Sequence, residues 1–127
     1  MSEVKTILIV DDDAVLADLY RVKFERAGYA VVTCRNGREA FDTLAGGLKP
    51  IVIILDLIMP EVDGLTFLQE ASYKLRLPPV IVMTSEESDV AKLEVHMRGA
   101  HAYLIKAKVS PADVLEQIKY MLKRQAK

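Results

Sequence analysis

The chain has 127 residues, 51% of them hydrophobic and 28% charged, with a formal net charge of -1. That size suits one domain with one core, taken here as residues 1–127, and the composition excludes a disordered chain. The near-neutral balance excludes strong general attraction to nucleic acid or anionic lipid, and Cys34, alone, excludes an internal disulfide.

Met1-Ser2-Glu3-Val4-Lys5-Thr6 leads straight into an apolar run without the pattern of a signal peptide, and no run reaches membrane-spanning length. A cytoplasmic protein is expected. The first strand is predicted at Ile7–Val10, ending abruptly on Asp11-Asp12-Asp13. Leu16, Leu19, Tyr20, Phe24 and Ala27 then recur at helical spacing, and Gly28 supplies a stop. Ala30–Cys34 is the second strand; Cys34 reads as a buried thiol. Asn36 is placed to cap a short helix through Leu44, closed by Gly46-Gly47.

The third strand, Ile51–Leu55, also ends on an acid, Asp56. Gly64 opens a third helix with Leu65, Leu68 and Ala71 on one face. A fourth strand follows at Val80–Thr84. The helix after it carries a thin apolar stripe, Val90, Leu93 and Met97, before Gly99. The fifth strand is Ala102–Ile105, and Ser110-Pro111-Ala112-Asp113 starts the last helix with a cap, a first-turn proline and an acid. Val114, Leu115, Ile118, Met121 and Leu122 form its apolar face.

Regular β-α alternation predicts an α/β fold: a parallel sheet with right-handed crossovers and helices on both faces. Three nearly all-apolar strands belong in its centre. Ligands of such sheets bind beyond the C-terminal strand ends. The residues there are Asp11, Asp12, Asp13, Asp56, Thr84 and Lys106. Clustered carboxylates are unfavourable unless a cation neutralises them or their pKa values rise, and Mg²⁺ is the natural guest of hard oxygen ligands. Asp56 is the candidate nucleophile for a phosphoryl group, with Asp11 and Asp12 sharing the metal. The backbone just after Asp56, the Ile58 carbonyl being the candidate, would add a ligand. Lys106 would pair with phosphate as a point charge, and Thr84 would donate a hydroxyl hydrogen bond. Asp13 reads as a helix cap, Met59-Pro60 and Asp63-Gly64 as loop architecture, and His96 and His101 as surface residues.

Val10-Asp11-Asp12, the segment Asp56 to Gly64 with Met59-Pro60 and Asp63-Gly64, Thr84, and Gly99-Ala100 followed by Tyr103 and Lys106 resemble the receiver domain of bacterial response regulators. The resemblance spans nearly the whole chain. It implies a flavodoxin-like, doubly wound five-stranded sheet in strand order 2-1-3-4-5. It also implies that Asp56 takes phosphate from a phosphohistidine on a sensor histidine kinase or a histidine phosphotransfer domain, with Mg²⁺ required. Thr84 and Tyr103 would then switch. A protein target would be met at the surface of the fourth and fifth helices and the strand between them, without direct contact to nucleic acid or membrane. The protein would be a signalling module rather than an enzyme.

Two departures stand out. Ala107 replaces the proline that commonly follows the lysine, leaving the Lys106–Ala107 bond either trans, with a shifted loop, or cis and strained. Ile58 replaces a polar residue that helps position attacking water in some relatives, which predicts a longer-lived phosphoryl group. Competing readings are a degenerate, unphosphorylated scaffold, an aspartate-based phosphatase and a flavin-binding protein. The phosphatase type places a second acid where Ile58 stands, and the flavin type has a Ser/Thr/Gly-rich first loop where this chain has three acids.

Overall fold

Five hydrophobic runs pair edge to edge in a computed structural model, which describes residues 4–125. The strands are β1 (Thr6–Val10), β2 (Ala30–Cys34), β3 (Val52–Leu55), β4 (Val80–Thr84) and β5 (Ala102–Ile105). All neighbours are parallel, in the order β2-β1-β3-β4-β5. The fold class and strand order are those expected. Strand bounds shift by one residue only at the starts of β1 and β3. Residues Met1–Glu3, on which the reading of the amino terminus partly rests, lie outside the described residues.

The helices are α1 (Ala14–Arg26), α2 (Gly37–Ala45), α3 (Gly64–Lys74), α4 (Asp89–Met97) and α5 (Pro111–Gln125). Side-chain alternation along the strands divides the core into two layers. Ile7, Ile9, Ile54 and Ile81 pack with Tyr20 and Phe24 of α1 and Val114 and Ile118 of α5. Leu8, Val10, Leu55 and Val82 point the other way, toward Ala40 of α2, Phe67 and Leu68 of α3, and Val95 of α4. β1, β3 and β4 are buried on both faces, which explains their uninterrupted apolar sequences.

Local signals set the helix starts. Asp13 Oδ1 accepts from Leu16 N at 3.0 Å, so this third acid caps α1. Asn36 Oδ1 accepts from Glu39 N at 2.9 Å and caps α2. Ser110 and Asp113 exchange side-chain and backbone bonds of 3.2 and 2.8 Å, a reciprocal cap at the start of α5.

Two expected apolar faces need correction. On α4, Val95 is the buried residue, whereas Val90, Leu93 and Met97 are 70%, 59% and 76% exposed. Leu19 of α1 is also exposed, and Ala17 takes the inward position. Periodicity marks a helical face without saying which way it points. Phe67, which the sequence reading passed over, fills the core side of α3 with Leu68 and Ala71.

Candidate functional site

The β1–β3 register sets Val10 beside Leu55, and the ladder continues past the strand ends. Asp56 N donates to Val10 O, and Asp11 N donates to Cys34 O, each at 2.9 Å. The first residues after β1 and β3 are therefore held side by side by main-chain bonds. Both side chains are buried, Asp11 at 3% and Asp56 at 4% exposure. Asp12, one residue on, is exposed at the rim.

Asp11, Asp12 and Asp56 each present a carboxylate oxygen, and the three atoms lie within 4.8 Å of one another. Oxygens on opposite sides of an octahedral Mg²⁺ stand about 4.2 Å apart, from bond lengths of about 2.1 Å. The group can hold a metal ion after only a slight closing of the carboxylates.

Lys106 reaches this group from the end of β5. Its Nζ stands 2.8 Å from Asp11 Oδ2 and 3.1 Å from Asp56 Oδ2. Three carboxylates and one ammonium sum formally to -2, the charge a divalent cation cancels. No cis peptide bond occurs among the described residues, so Lys106–Ala107 is trans. The lysine nonetheless spans both acids. Residues Lys106–Lys108 form a single 3-10 turn, and Lys108 Nζ pairs with Glu87 Oε1 at 2.8 Å.

The acids differ in how fully they are engaged. Asp11 Oδ1 accepts from Asp13 N at 2.9 Å, and Asp56 Oδ1 accepts from Ile58 N at 3.3 Å. Burial pushes the Asp11 carboxyl above its ordinary range, with proximity to Asp56 adding to the rise; the hydrogen bond from Lys106 only partly offsets it. Burial alone would lower Lys106, but its bonds to Asp11 and Asp56 outweigh this and raise it. The lysine is a fixed positive charge at neutral pH.

Gly64 shapes the loop after Asp56. A Cβ there would lie 2.1 Å from the Asp56 carbonyl oxygen and 2.7 Å from Leu57 Cα. Only glycine lets α3 start so close to this loop, and Gly64 N donates to Leu57 O at 3.0 Å. Asp63 caps α3 through Thr66 N at 2.8 Å, and Met59 is buried. The loop also docks on α2: Gly37 N donates to Val62 O at 2.9 Å.

Thr84 ends β4 and is fully buried. Its Oγ1 accepts from Glu86 N at 3.3 Å, which leaves its hydroxyl proton free to donate. Tyr103, on β5, donates its hydroxyl to Glu86 O. Glu86 thus links Thr84 to Tyr103 through its own backbone. Sequence reasoning missed this link because any residue type at position 86 supplies the same N–H and carbonyl. Ile58 is 54% exposed beside Asp56. His96 and His101 lie at the surface, as expected, and Cys34 is a buried thiol whose pKa burial raises.

Residues 7–119 match the family model described as the response regulator receiver domain. The chain is 32% identical over 120 residues to the alkaline phosphatase synthesis transcriptional regulatory protein PhoP of Bacillus subtilis, covering 94% of this chain and 49% of that protein. It is 33% identical over 120 residues to the transcriptional regulatory protein ResD of the same organism, covering 93% and 48%. The chain therefore spans about half the length of these relatives. Among solved structures, a CheY-like receiver domain protein from Methanospirillum hungatei superimposes with a TM-score of 0.90 at 29% identity, covering 98% of both chains. The chemotaxis protein CheY4 of Vibrio cholerae gives 0.84 at 28%, covering 93% of this chain and 98% of that one. No helix among the described residues is long and apolar enough to cross a membrane.

Proposed function

The chain belongs to the family of response regulator receiver domains of two-component signalling, and we propose that Asp56 is its phosphoacceptor and Mg²⁺ its metal. The observation that carries this is the convergence of Asp11, Asp12, Asp56 and Lys106 on one sheet edge, with an ammonium already bridging two of the acids.

Bound by Asp11, Asp12, Asp56 and the Ile58 carbonyl, Mg²⁺ would neutralise the acids and a phosphoryl oxygen. An Asp56 carboxylate oxygen attacks phosphorus of a phosphohistidine in line. The new O–P bond forms as the N–P bond breaks, and the electron pair returns to the imidazole, which takes up a proton. The product is an acyl phosphate on Asp56. Lys106 transfers its ion pair from the Asp56 carboxylate to a phosphoryl oxygen. Thr84 turns its free hydroxyl proton to another. The partner on this reading is a sensor histidine kinase or a histidine phosphotransfer domain.

The output route runs through Glu86. Pulling Thr84 toward phosphate draws on the Glu86 N–H, and Glu86 O is where Tyr103 is anchored. The β4–α4 loop and Tyr103 would then move together, altering the α4-β5-α5 surface offered to a protein target. Phosphate need only favour one of two existing arrangements. The domain is read as one unit over residues 1–127, cytoplasmic and without its own membrane contact. The expectation of no nucleic-acid contact applies to this domain alone, since PhoP and ResD carry the name of transcriptional regulators.

Incubation with phosphoramidate and Mg²⁺, followed by intact mass, tests the reading. The wild type should gain one phosphoryl group, chelation should prevent it, and Asp56→Asn should gain none. A scaffold gains none in either protein, and sustained release of phosphate from many esters indicates a phosphatase.

A further inference from the structure

α4 separates two grooves that differ in charge. On its β5 side, a groove of about 360 Å³ carries Lys92, His96 and His101 against one acid, Asp89. On its α3 side, a groove of about 410 Å³ runs between α4 and the loop after Asp56. Its floor is apolar: Leu57, Met59 and Val95 are each buried to 8% exposure or less. Its lips are exposed and also apolar, Ile58 from the loop and Val90 from α4.

The charged residues lining this second groove are all acids, Asp63, Glu86 and Glu94. None of the three is in a salt bridge among the described residues, although the neighbouring Glu87 is. An apolar trough bordered by Glu86 and Glu94, without a paired cation, and by Asp63, whose carboxylate also caps α3, is complementary to an apolar ridge flanked by ammonium or guanidinium groups.

We propose that the α3–α4 groove docks a basic amphipathic helix of a partner protein. Val90 and Ile58 grip its apolar ridge, and Asp63, Glu86 and Glu94 pair with the cations beside that ridge. Of the exposed stripe on α4, Val90 lines this groove, whereas Leu93 lines the groove on the β5 side. Charge distinguishes the partner, because the groove on the β5 side sets Lys92 against Asp89 and offers a basic helix no excess of acid. The groove is present in the unphosphorylated domain, so the proposal stands or falls apart from the chemistry of Asp56.

The probe is a synthetic helix with leucine along one face and lysine along both margins. It is added to the whole domain in excess Mg²⁺ at physiological salt, which occupies the Asp11–Asp12–Asp56 group and screens loose attraction. Amide chemical shifts should move from Leu57 to Leu65 and from Val90 to Val95. Glu94→Lys, on an exposed turn of α4, should weaken binding about fivefold or more. Val90→Ser should weaken it as well, while Glu116→Lys on α5 should not. A glutamate version of the probe should not bind. Absence of binding, shifts centred on Lys92 and His101 or on Asp11 and Asp12, or an unchanged affinity in Glu94→Lys would each overturn the proposal.

Discussion

Replacing Gly64 with alanine should damage the site without touching a charged group. The added Cβ would lie 2.1 Å from Asp56 O, 2.7 Å from Leu57 Cα and 2.9 Å from the Asp56 carbonyl carbon. Ordinary contact begins near 3.4 Å, so the helix start and the loop must separate by roughly 1 Å. The obstructing atoms are backbone, which cannot rotate aside. Overpacking of this kind costs about 1–3 kcal/mol, with an immovable neighbour placing it at the upper end. Alanine recovers at most about 1 kcal/mol through helix propensity and a stiffer unfolded chain. The expected net loss is about 2 kcal/mol, or roughly 7 °C in Tm for a domain of this length. Gly46→Ala is the control, since its Cβ meets nothing closer than Asp42 O at 3.2 Å. The assays are thermal unfolding and the rate of phosphorylation by phosphoramidate. Gly64→Ala should be less stable and slower, because the displaced atoms belong to Asp56 itself. Wild-type stability and rate in Gly64→Ala would refute the argument that α3 needs this approach.

Three further outcomes follow from the charges and the loop. The raised Asp11 pKa means that the folded state holds this proton more tightly than the unfolded chain. Its contribution to stability is therefore lost as pH climbs from about 3.8 through the raised value, and the cost is complete once the pH stands above that value. In chelator, the stability of Asp11→Asn relative to wild type should rise as pH climbs above about 3.8, the ordinary carboxyl value, and stay level below it. Added Mg²⁺ should stabilise the wild type and not the variant; denaturant melts across pH check both. Ile58→Asn should hydrolyse its phosphoryl group several-fold faster, measured by loss of phosphoryl mass after donor removal, and an equal lifetime would dissociate Ile58 from water access. Tyr103→Phe should loosen the β4–α4 loop by removing the bond to Glu86 O, seen as faster amide exchange from Glu86 to Ser88, with phosphorylation retained.

The sheet and the acid cluster were legible because each rests on a local pattern with one geometric meaning. An uninterrupted apolar run cut off by a carboxylate becomes a central strand with its acid at the C-terminal edge, as at Val10-Asp11 and Leu55-Asp56. Caps at Asp13, Asn36 and Ser110 were legible for the same reason. The outward stripe of α4 was not. Val90, Leu93 and Met97 satisfy helical spacing as well as a core face would, and only the packing of Val95 and Ala91 against the sheet decides the sense. The path of Lys106 after a trans bond to Ala107 depended on three-dimensional reach, and Glu86 acts through backbone atoms that every residue shares.

The most direct test of the central claim is to locate the phosphoryl group. Borohydride reduces an aspartyl phosphate to homoserine, and peptide sequencing by mass spectrometry then reads the position. Homoserine at position 56, absent in chelator, is the predicted result. Homoserine at position 11 or 12, or phosphate retained on a hydroxyl or histidine side chain, would contradict it.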